Sequence, residues 1–250
     1  MEINLLRNNI LNNILSTYIL FTMKLQDLKI VFICPDHNEK YHKRKLHMEN
    51  MLSRIGCKNV THYKSGNEQF PKCLSLAYLH ILSENLDTPV LIIEDDVIFK
   101  GNDTFDYEDS ADAIYLGISK CAAHATENRD EGSLKVEPYS MTQVRVKNML
   151  STHAIIYKSR KFKEAVISKI KSSLEGNINW ETDILIARLQ PDFLILANMK
   201  PNFYQSALLN KGKSNVERIT NFRIGYIIGF GQEPPPENEL IEDGSESKVL

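Results

Sequence analysis

The stretch Val90-Leu91-Ile92-Ile93-Glu94-Asp95-Asp96-Val97-Ile98-Phe99 is an apolar run that ends in three consecutive carboxylates and then turns apolar again. A run such as Val90 to Ile93 is typical of a strand buried on both faces, as the central strands of parallel sheets are. Three adjacent acids repel one another and lose hydration unless a positive charge lies beside them. A divalent cation is the simplest candidate, because Mg²⁺ and Mn²⁺ prefer carboxylate oxygens. The alternative is a solvated acidic turn.

Segments with the period of a strand alternate with segments of helical period along the chain. The strand-like segments are 29–34, 60–63, 113–116, 152–157 and 193–197, and the helix-like ones are 48–55, 71–82, 160–170 and 181–189. Gly56 is placed as the C-cap of the first helix. This alternation predicts an α/β, Rossmann-like fold in which a mostly parallel central sheet is flanked by helices in a single domain. The polar stretch 119–136 is expected to form a long loop.

Length and composition favour one domain with appendages at both ends. The chain has 250 residues, enough to bury a sizeable core, and its charged fraction of 25% is ordinary for a soluble protein. We expect the domain to span 23–230. Whether the extension at 1–22 belongs to the native domain is left open, because Met23 could be the natural first residue. The acidic, proline-rich tail 231–250 is expected to be disordered.

The charge and cysteine patterns restrict the partners and the compartment. A net charge of −2 gives no general attraction to nucleic acid. Asparagines and Arg7 interrupt the apolar residues of the N-terminal extension, so no convincing membrane span is expected there. The four cysteines lie far apart and form no CxxC pair. This favours a soluble protein in the reducing cytoplasm.

The predicted sheet brings three loops together, since ligands of open α/β sheets bind beyond the carboxyl ends of the strands. The loops are 35–38, 64–67 and 94–96; the last is acidic, and the first two carry a histidine, a lysine and hydroxyl or amide groups. A nucleotide whose diphosphate is bridged by a metal ion suits that mixture. The sequence contains neither a P-loop nor a GxGxxG motif, so ordinary kinase and dinucleotide chemistry have no support.

Seven sequence segments, taken in order, resemble the glycosyltransferases of the GT-A fold. They are ICPDHNEKYH (33–42), HYKSG (62–66), IIEDD (92–96), ADAIYLG (111–117), NMLSTHAIIY (148–157), TDILIARLQP (182–191) and FYQS (203–206). The closer similarity is to the N-terminal glycosyltransferase domains of chlorella-virus proteins that glycosylate the major capsid protein. A more distant one is to glycosyltransferase family 25. The resemblance implies a Mn²⁺- or Mg²⁺-dependent transferase that takes a sugar, such as L-rhamnose, from a UDP-sugar. The acceptor is expected to be a glycan or glycoprotein, such as a viral capsid glycan. If the protein is viral, the expected cytoplasm is that of the host.

The resemblance also implies roles for the acids and for the loops after the first two strands. Asp96 is expected to bind the metal directly, with Asp95 as a further ligand. Glu94 and Asp95 are also expected to reach the metal's waters or the sugar hydroxyls. The UDP-sugar is expected to contact the following residues: Pro35, Asp36, His37, Lys64 and Ser65. The alternatives are a loop histidine without a ligand and a lysine that simply lies on the surface.

Sugar transfer also needs a carboxylate that faces the acceptor, because a proton must leave the attacking hydroxyl. Asp183 is the first candidate for this base and Glu181 the second; the alternative is that both only stabilise the start of a helix. Trp180 is expected either to stack on a sugar ring or to pack in the core. His153 is expected to touch donor sugar, phosphate or metal, or else to be structural. The resemblance places the segment 204–206 near the cleft.

Inversion of the anomeric centre is expected, because a candidate base is present and no dedicated nucleophile is evident. Two other functions remain open. A sugar nucleotidyltransferase would share the fold, although ICPDHNEKYH lacks the glycine-rich signature usual after the first strand of such enzymes. A non-catalytic module that binds nucleotide sugars or glycans would keep the site without turnover.

Overall fold

The structure is a computed structural model that describes residues 21–123, 132–176 and 181–209. The strands are β1 Phe21–Lys24, β2 Ile30–Ile33, β3 Val60–Tyr63, β4 Val90–Glu94, β5 Val97–Phe99, β6 Thr104–Tyr107, β7 Ala113–Tyr115, β8 Cys121–Ala122, β9 Gly132–Ser133, β10 Lys135–Pro138, β11 Gln143–Asn148, β12 Ala154–Tyr157, β13 Ile195–Asn198 and β14 Phe203–Gln205. The helices are α1 Glu39–Ile55, α2 Lys72–Glu84, α3 Arg160–Glu175 and α4 Thr182–Ala187, with 3-10 turns at Leu25–Asp27 and Gln190–Asp192. Among these residues no helix has both the length and the apolar character needed to cross a membrane.

One large sheet organises the described part of the chain, with strand order β3-β2-β4-β12-β7-β13-β11-β10. Strands β3, β2 and β4 are parallel, and β7 and β13 are parallel to each other. Strand β12 is antiparallel to both β4 and β7, and β11 is antiparallel to both β13 and β10. Strands β12 and β11 therefore run against the other six. The predicted α/β fold, with a mostly parallel sheet flanked by helices, is confirmed.

Strand β4 lies inside the sheet and both of its faces are buried. Val90 and Ile92 pack in a cluster with residues of α2 and α3, whereas Leu91 and Ile93 pack in a cluster with residues of α1. All four side chains are fully buried. Their burial stabilises the fold by roughly 6–12 kcal/mol before the entropy cost of ordering is subtracted. The continuous apolar run in the sequence follows from this two-sided burial.

Helix α1 begins and ends at clear local signals. The Asn38 side chain accepts a hydrogen bond from the Tyr41 N–H and caps the first turn. Gly56 ends the helix with a φ of 87°, in the left-handed region that favours glycine, as the sequence predicts. The helix buries Met48 against the sheet. Arg44 lies one turn earlier on this buried face, and its guanidinium reaches the acidic turn after β4.

The long loop predicted for 119–136 is replaced in part by short strands. Strands β8 and β9 and the start of β10 fall within this range, and β11 follows it. In β11 the buried Val144 and Val146 alternate with the partly buried Arg145 and Lys147, a strand signal that the sequence prediction missed. Strand β10 forms one edge of the sheet and has charged, exposed residues, as edge strands often do. Residues 124–131 lie outside the described ranges.

Strand β1 pairs with β6 in a small separate ribbon, with Phe21 opposite Tyr107 and Lys24 opposite Thr104. It begins two residues before the predicted domain start at residue 23. The rest of the predicted extension and the whole acidic tail lie outside the described residues, so both of those assignments stay predictions.

Candidate active site

The carboxyl ends of three parallel strands meet at one edge of the sheet. Ile33, the last residue of β2, lies opposite Tyr63 of β3 and Glu94 of β4. The loops that follow these strands therefore start side by side, as the sequence predicts. Lys64 and Asp36, which come from two of these loops, form an ion pair with Nζ 2.7 Å from Oδ1.

The loops after β2 and β3 carry the residues predicted to meet the nucleotide. The hydrogen bond from Lys64 lowers the pKa of the partly exposed Asp36 from its ordinary value, so this carboxylate is ionised at neutral pH. The ring of His37 packs against the ring of Tyr41, with centroids 4.9 Å apart. Ser65 is buried. Their nucleotide-binding roles stay predictions: Pro35, Asp36, His37, Lys64 and Ser65.

The negative charge of the Asp95 carboxylate is compensated by neighbouring side chains. The Arg44 guanidinium donates to Asp95 Oδ1 at 2.8 Å, and the Cys34 thiol donates to Oδ2 at 3.2 Å. Both members of the ion pair are buried. Burial raises the pKa of Asp95 and Arg44 opposes that rise. The metal-binding and sugar-binding roles of Asp95 stay predictions, and its visible role is to join α1 to the end of β4.

Burial and neighbouring carboxylates raise the pKa of Glu94. Burial is the main cause that raises the pKa of Glu94 to about 8, and the negative charges of Asp96 and Asp183 raise it further. The Thr152 hydroxyl donates to Glu94 Oε1 at 2.5 Å and partly opposes this rise. The raised pKa favours the protonated form of Glu94 as long as no cation lies beside it. Asp96 belongs to the same turn as Glu94, whereas Asp183 comes from the start of α4, so the effect of Asp183 shows that α4 begins near this turn.

Asp183 is placed by the first turn of α4. The Asp183 Oδ1 accepts a hydrogen bond from the Ile184 N–H at 2.8 Å, and Glu181 precedes the helix as its N-cap residue. The hydroxyls of Thr182 and Ser75 lie 3.1 Å apart in a buried contact that ties α4 to α2. The structure thus brings Asp183 to the acidic edge, while the role of base for Asp183 or Glu181 stays a prediction. Trp180 lies outside the described residues.

His153 is fully buried beside the acids and is fixed from three sides. Its Nδ1 is hydrogen-bonded to the Ser151 hydroxyl, and its Nε2 lies 3.3 Å from the Phe203 carbonyl oxygen. A Cβ atom at Gly117 would lie only 2.0 Å from Nε2, so the ring packs on bare backbone. Burial lowers the pKa of His153 to about 4 although Asp96 raises it, so the ring is neutral at pH 7. Its predicted contacts with donor or metal stay predictions.

Ser151 has a φ of 115°, a left-handed value that costs energy for a residue with a side chain. The strained residue holds its hydroxyl against His153. Such strain persists only where the surrounding structure enforces it, and it is concentrated at functional sites. The position of Ser151 is therefore an independent sign that this edge of the sheet is functional.

Asp96 is held by the segment that the resemblance places near the cleft. The Ser206 N–H donates to the Asp96 carbonyl oxygen at 2.8 Å, and Gln205 Nε2 lies 3.4 Å from Asp96 Oδ2. Strand β14, which ends at Gln205, pairs with β5 directly after the acids. The structure thus places Gln205 and Ser206 beside Asp96, while the predicted position of 204–206 within reach of a substrate stays a prediction.

Four residues of the site were not predicted from the sequence: Cys34, Arg44, Gly117 and Thr152. Arg44 had a usable signal, because it precedes Met48 by four residues and so shares the apolar face of α1. A charged residue on such a face is expected to have a buried partner. Cys34, Gly117 and Thr152 had no such signal in the sequence, since their roles depend on contacts between distant parts of the chain.

The residues at this edge suit a hard divalent cation in chemistry, although they do not form a complete cage. Among the described residues, no group of three or more His, Cys, Asp or Glu side chains is placed to hold a metal ion. Glu94, Asp96 and Asp183 offer oxygen ligands whose mutual repulsion a cation would relieve. Mg²⁺ and similar ions commonly use one or two carboxylates and take their remaining ligands from water and substrate phosphate. The donor set fits that pattern.

No family model matches this chain, and no curated protein matches it. Solved structures do match. A UDP-glucose pyrophosphorylase in complex with UDP-glucose has a TM-score of 0.45 and 10% identity, over 75% of this chain and 97% of its own. CTP:phosphocholine cytidylyltransferase from Streptococcus pneumoniae has a TM-score of 0.39 and 9% identity, over 78% of this chain and 99% of its own.

The glycosyltransferase GlyE of Streptococcus pneumoniae TIGR4 also matches, with a TM-score of 0.35 and 13% identity over 68% of this chain and 45% of its own. Similarities at these levels do not decide the chemistry. They give no support to the more specific resemblance to chlorella-virus domains or to glycosyltransferase family 25.

Proposed function

We propose that this chain is a metal-dependent glycosyltransferase that moves a sugar from a UDP-sugar to a hydroxyl of a glycan, with inversion. The observation that carries the proposal is that the negative charges of Asp96 and Asp183, which belong to separate segments, both raise the pKa of Glu94 at the carboxyl edge of the sheet. Sugar transfer requires a cation that stabilises the leaving diphosphate and a base that takes the proton of the acceptor hydroxyl. Asp96 and Glu94 would provide ligands for the cation, and Asp183, at the start of α4, would provide the base. L-Rhamnose as the donor sugar and a viral capsid glycan as the acceptor belong to the same proposal.

In the proposed reaction Asp183 accepts the proton of the acceptor hydroxyl. The acceptor oxygen forms a bond to the anomeric carbon, the bond from that carbon to the phosphate oxygen breaks, and UDP leaves with the electron pair. Asp96, with Glu94 beside it, would hold the cation, which when bound stabilises the charge on the departing diphosphate. The neutral ring of His153 adds no positive charge, and its Nε2 lies 3.3 Å from the Phe203 carbonyl oxygen of β14.

The nucleotide would lie across the loops after β2 and β3. The ionised Asp36 carboxylate suits the N–H of uracil or a ribose hydroxyl. Lys64 holds that carboxylate in place through the 2.7 Å ion pair. Pro35, His37 and Ser65 complete the proposed wall.

A sugar nucleotidyltransferase is the second candidate, and it is the function that the names of the similar solved structures favour over sugar transfer. Such an enzyme would use the same sheet edge to join a nucleoside triphosphate to a sugar phosphate and release pyrophosphate. The absence of a glycine-rich segment in ICPDHNEKYH counts against it. A non-catalytic nucleotide-sugar or glycan-binding module is the third.

Product analysis separates the three candidates. The purified chain is incubated with Mn²⁺ and a panel of UDP-sugars, and in parallel with UTP and sugar 1-phosphates. Release of UDP that stops with EDTA is expected for the glycosyltransferase. Pyrophosphate release from UTP would replace the proposal with the second candidate, and binding of UDP-sugars without turnover of any substrate would replace it with the third.

A further inference from the structure

The described residues form a partly open cavity of about 270 Å³ away from the acids, lined by both polar and apolar groups. Strands β5 and β14 form a two-stranded ribbon that connects the acidic turn after β4 with this cavity. Asp96 lies just before β5, whereas Asn202, in the wall of the cavity, lies just before β14 and accepts a hydrogen bond from the Lys100 N–H at 3.0 Å. The four residue steps from Asp96 to Lys100 span about 13 Å at roughly 3.3 Å per residue. The cavity is therefore a neighbour of the proposed active site and not a part of it.

The chemistry of the lining is that of a hydrogen-bonding surface with little net charge. Hydroxyls and amides predominate, with a single carboxylate, Asp106, and a single ammonium group, Lys200. An apolar ligand would remove water from the Thr22 and Thr104 hydroxyls, at a cost for each. An anion would need more positive charge than one lysine provides beside a carboxylate. A neutral ligand with many hydroxyls satisfies the lining best. The hydroxyl and amide groups belong to Thr22, Thr104, Thr142, Asn102, Asn198 and Asn202.

The amides of this cavity are held in fixed orientations by a buried network. Gln143 Nε2 donates to Asn198 Oδ1 at 3.0 Å and to the Asp106 carbonyl oxygen at 2.8 Å. Asn198 Nδ2 lies 3.3 Å from Asn202 Oδ1, and Asn202 Nδ2 donates to the Asn102 carbonyl oxygen at 2.9 Å. Asn198 and Asn202 are only 7% and 5% exposed. Polar groups fixed before the ligand arrives lose little entropy on binding, so the network is suited to recognition.

We propose that this cavity binds a sugar ring of the acceptor glycan, at a unit remote from the hydroxyl that reacts. Its volume of about 270 Å³ lies just below the range for small-molecule sites, about 300–1,000 Å³, which suits a single ring and not a larger ligand. Binding of a sugar follows from the cavity alone, whereas its assignment to the acceptor rests on the proposed function. The ribbon of β5 and β14 then connects acceptor recognition to the acidic turn.

Saturation-transfer NMR tests this proposal with the whole chain and a panel of methyl glycosides of rhamnose, glucose, galactose and xylose. Thr104→Val removes a cavity hydroxyl without changing the side-chain size, and Thr22→Trp blocks the cavity from an exposed position. Thr61→Val, on an exposed position of β3 outside the cavity, is the matched control. Circular dichroism melting verifies that each variant is folded.

At least one glycoside is expected to receive saturation from the unaltered chain and from Thr61→Val. Its affinity is expected to fall about 3- to 10-fold in Thr104→Val, the effect of one lost hydrogen bond, and its signal to vanish in Thr22→Trp. No transfer to any glycoside, equal transfer to every variant, or displacement by inorganic phosphate would overturn the proposal. Asp96→Asn is expected to keep the glycoside signal, because Asp96 lies outside the cavity. In the unaltered chain, glycoside binding without UDP release from any UDP-sugar would refute the proposed function and leave the sugar-binding cavity in place.

Discussion

Glu94, Asp95 and Asp96 are adjacent in the sequence but have three different environments. Asp95 is paired with Arg44, and Glu94 has a pKa of about 8 and accepts the Thr152 hydroxyl. Asp96 is reached from the β14 segment. The three acids therefore have two different roles: Asp95 joins α1 to β4, whereas Glu94 and Asp96 are the acids that the proposed function assigns to the cation.

Asp96→Asn is expected to abolish UDP release in the proposed transferase, because the amide is a poor ligand for a hard cation. UDP should raise the melting temperature of the unaltered chain more strongly with Mn²⁺ than without it, since a ligand of the folded state stabilises it. In the variant that difference should disappear. Full activity in Asp96→Asn would remove this residue from the mechanism.

Asp183→Asn is expected to lower kcat about 10²- to 10⁴-fold, because the amide cannot accept the acceptor's proton. The Mn²⁺-dependent thermal shift with UDP should be retained, since the nucleotide loops are untouched. Steady-state kinetics over several acceptor concentrations measure the effect. Glu181→Gln serves as the comparison, and a larger loss in that variant would make Glu181 the base.

Gly117→Ala is expected to destabilise the fold by about 1–3 kcal/mol or more, because its Cβ would lie 2.0 Å from the buried His153 ring. Gly66→Ala is the matched control, since a Cβ there meets no atom within 4 Å, and it should change stability by no more than about 0.5 kcal/mol. Urea unfolding measures both. Equal stability of the two variants would show that the ring moves aside freely.

At the scale of elements, the site depends on how α1 and α4 dock at the edge of the sheet. The Arg44–Asp95 pair joins α1 to β4, and Arg44 also donates to the Leu209 carbonyl oxygen. The Ser75–Thr182 contact joins α4 to α2. The acids therefore keep their positions only while three helices stay packed around one strand end.

Arg44→Met is expected to cost about 3–5 kcal/mol of unfolding free energy, because it leaves the buried Asp95 carboxylate without its partner. In Arg44→Met/Asp95→Asn the loss should be smaller than the sum of the two single losses, as a double-mutant cycle would show. Arg54→Met, at an exposed position of the same helix, should change little. Additive effects would mean that the pair contributes no coupling.

At the scale of the whole molecule, one lysine stabilises the junction between α2 and α3. Lys163 is fully buried, and its Nζ donates to the carbonyl oxygens of Asn85 and Thr88 at 2.7 Å and of Leu86 at 3.3 Å. Burial lowers its pKa to about 8. The junction therefore carries a charge that the fold tolerates only because carbonyl oxygens surround it.

Stability is expected to rise with pH from about 8 to about 10, because the unfolded chain still binds the Lys163 proton there and the folded chain has released it. In Lys163→Met this part of the pH dependence should vanish, and at pH 7 the variant should lose about 2–4 kcal/mol because buried carbonyls lose their donor. Urea unfolding across this pH range tests both effects. Lys169→Met, exposed on the same helix, is the control, and an equal pH profile in both variants would contradict the assignment.

The main elements were predictable because each has a local signal. The apolar run before Glu94 marks a strand buried on both faces, and Gly56 marks the end of α1. The parallel arrangement of β2, β3 and β4 then placed the three loops together. Strand β11 was missed although its alternation was visible, because no element was predicted between the loop at 119–136 and the strand at 152–157.

The sequence alone determined the alternating fold, the acidic strand end and the loops around it, because side-chain periodicity and turn residues act within a few positions. Only the tertiary structure decided that β12 runs against its neighbours and that Asp95 is neutralised by Arg44. It also decided that Asp183 acts on the pKa of Glu94. These features depend on which distant segments pack together, and buried charges and hydrogen bonds are settled by that packing and not by neighbours along the chain.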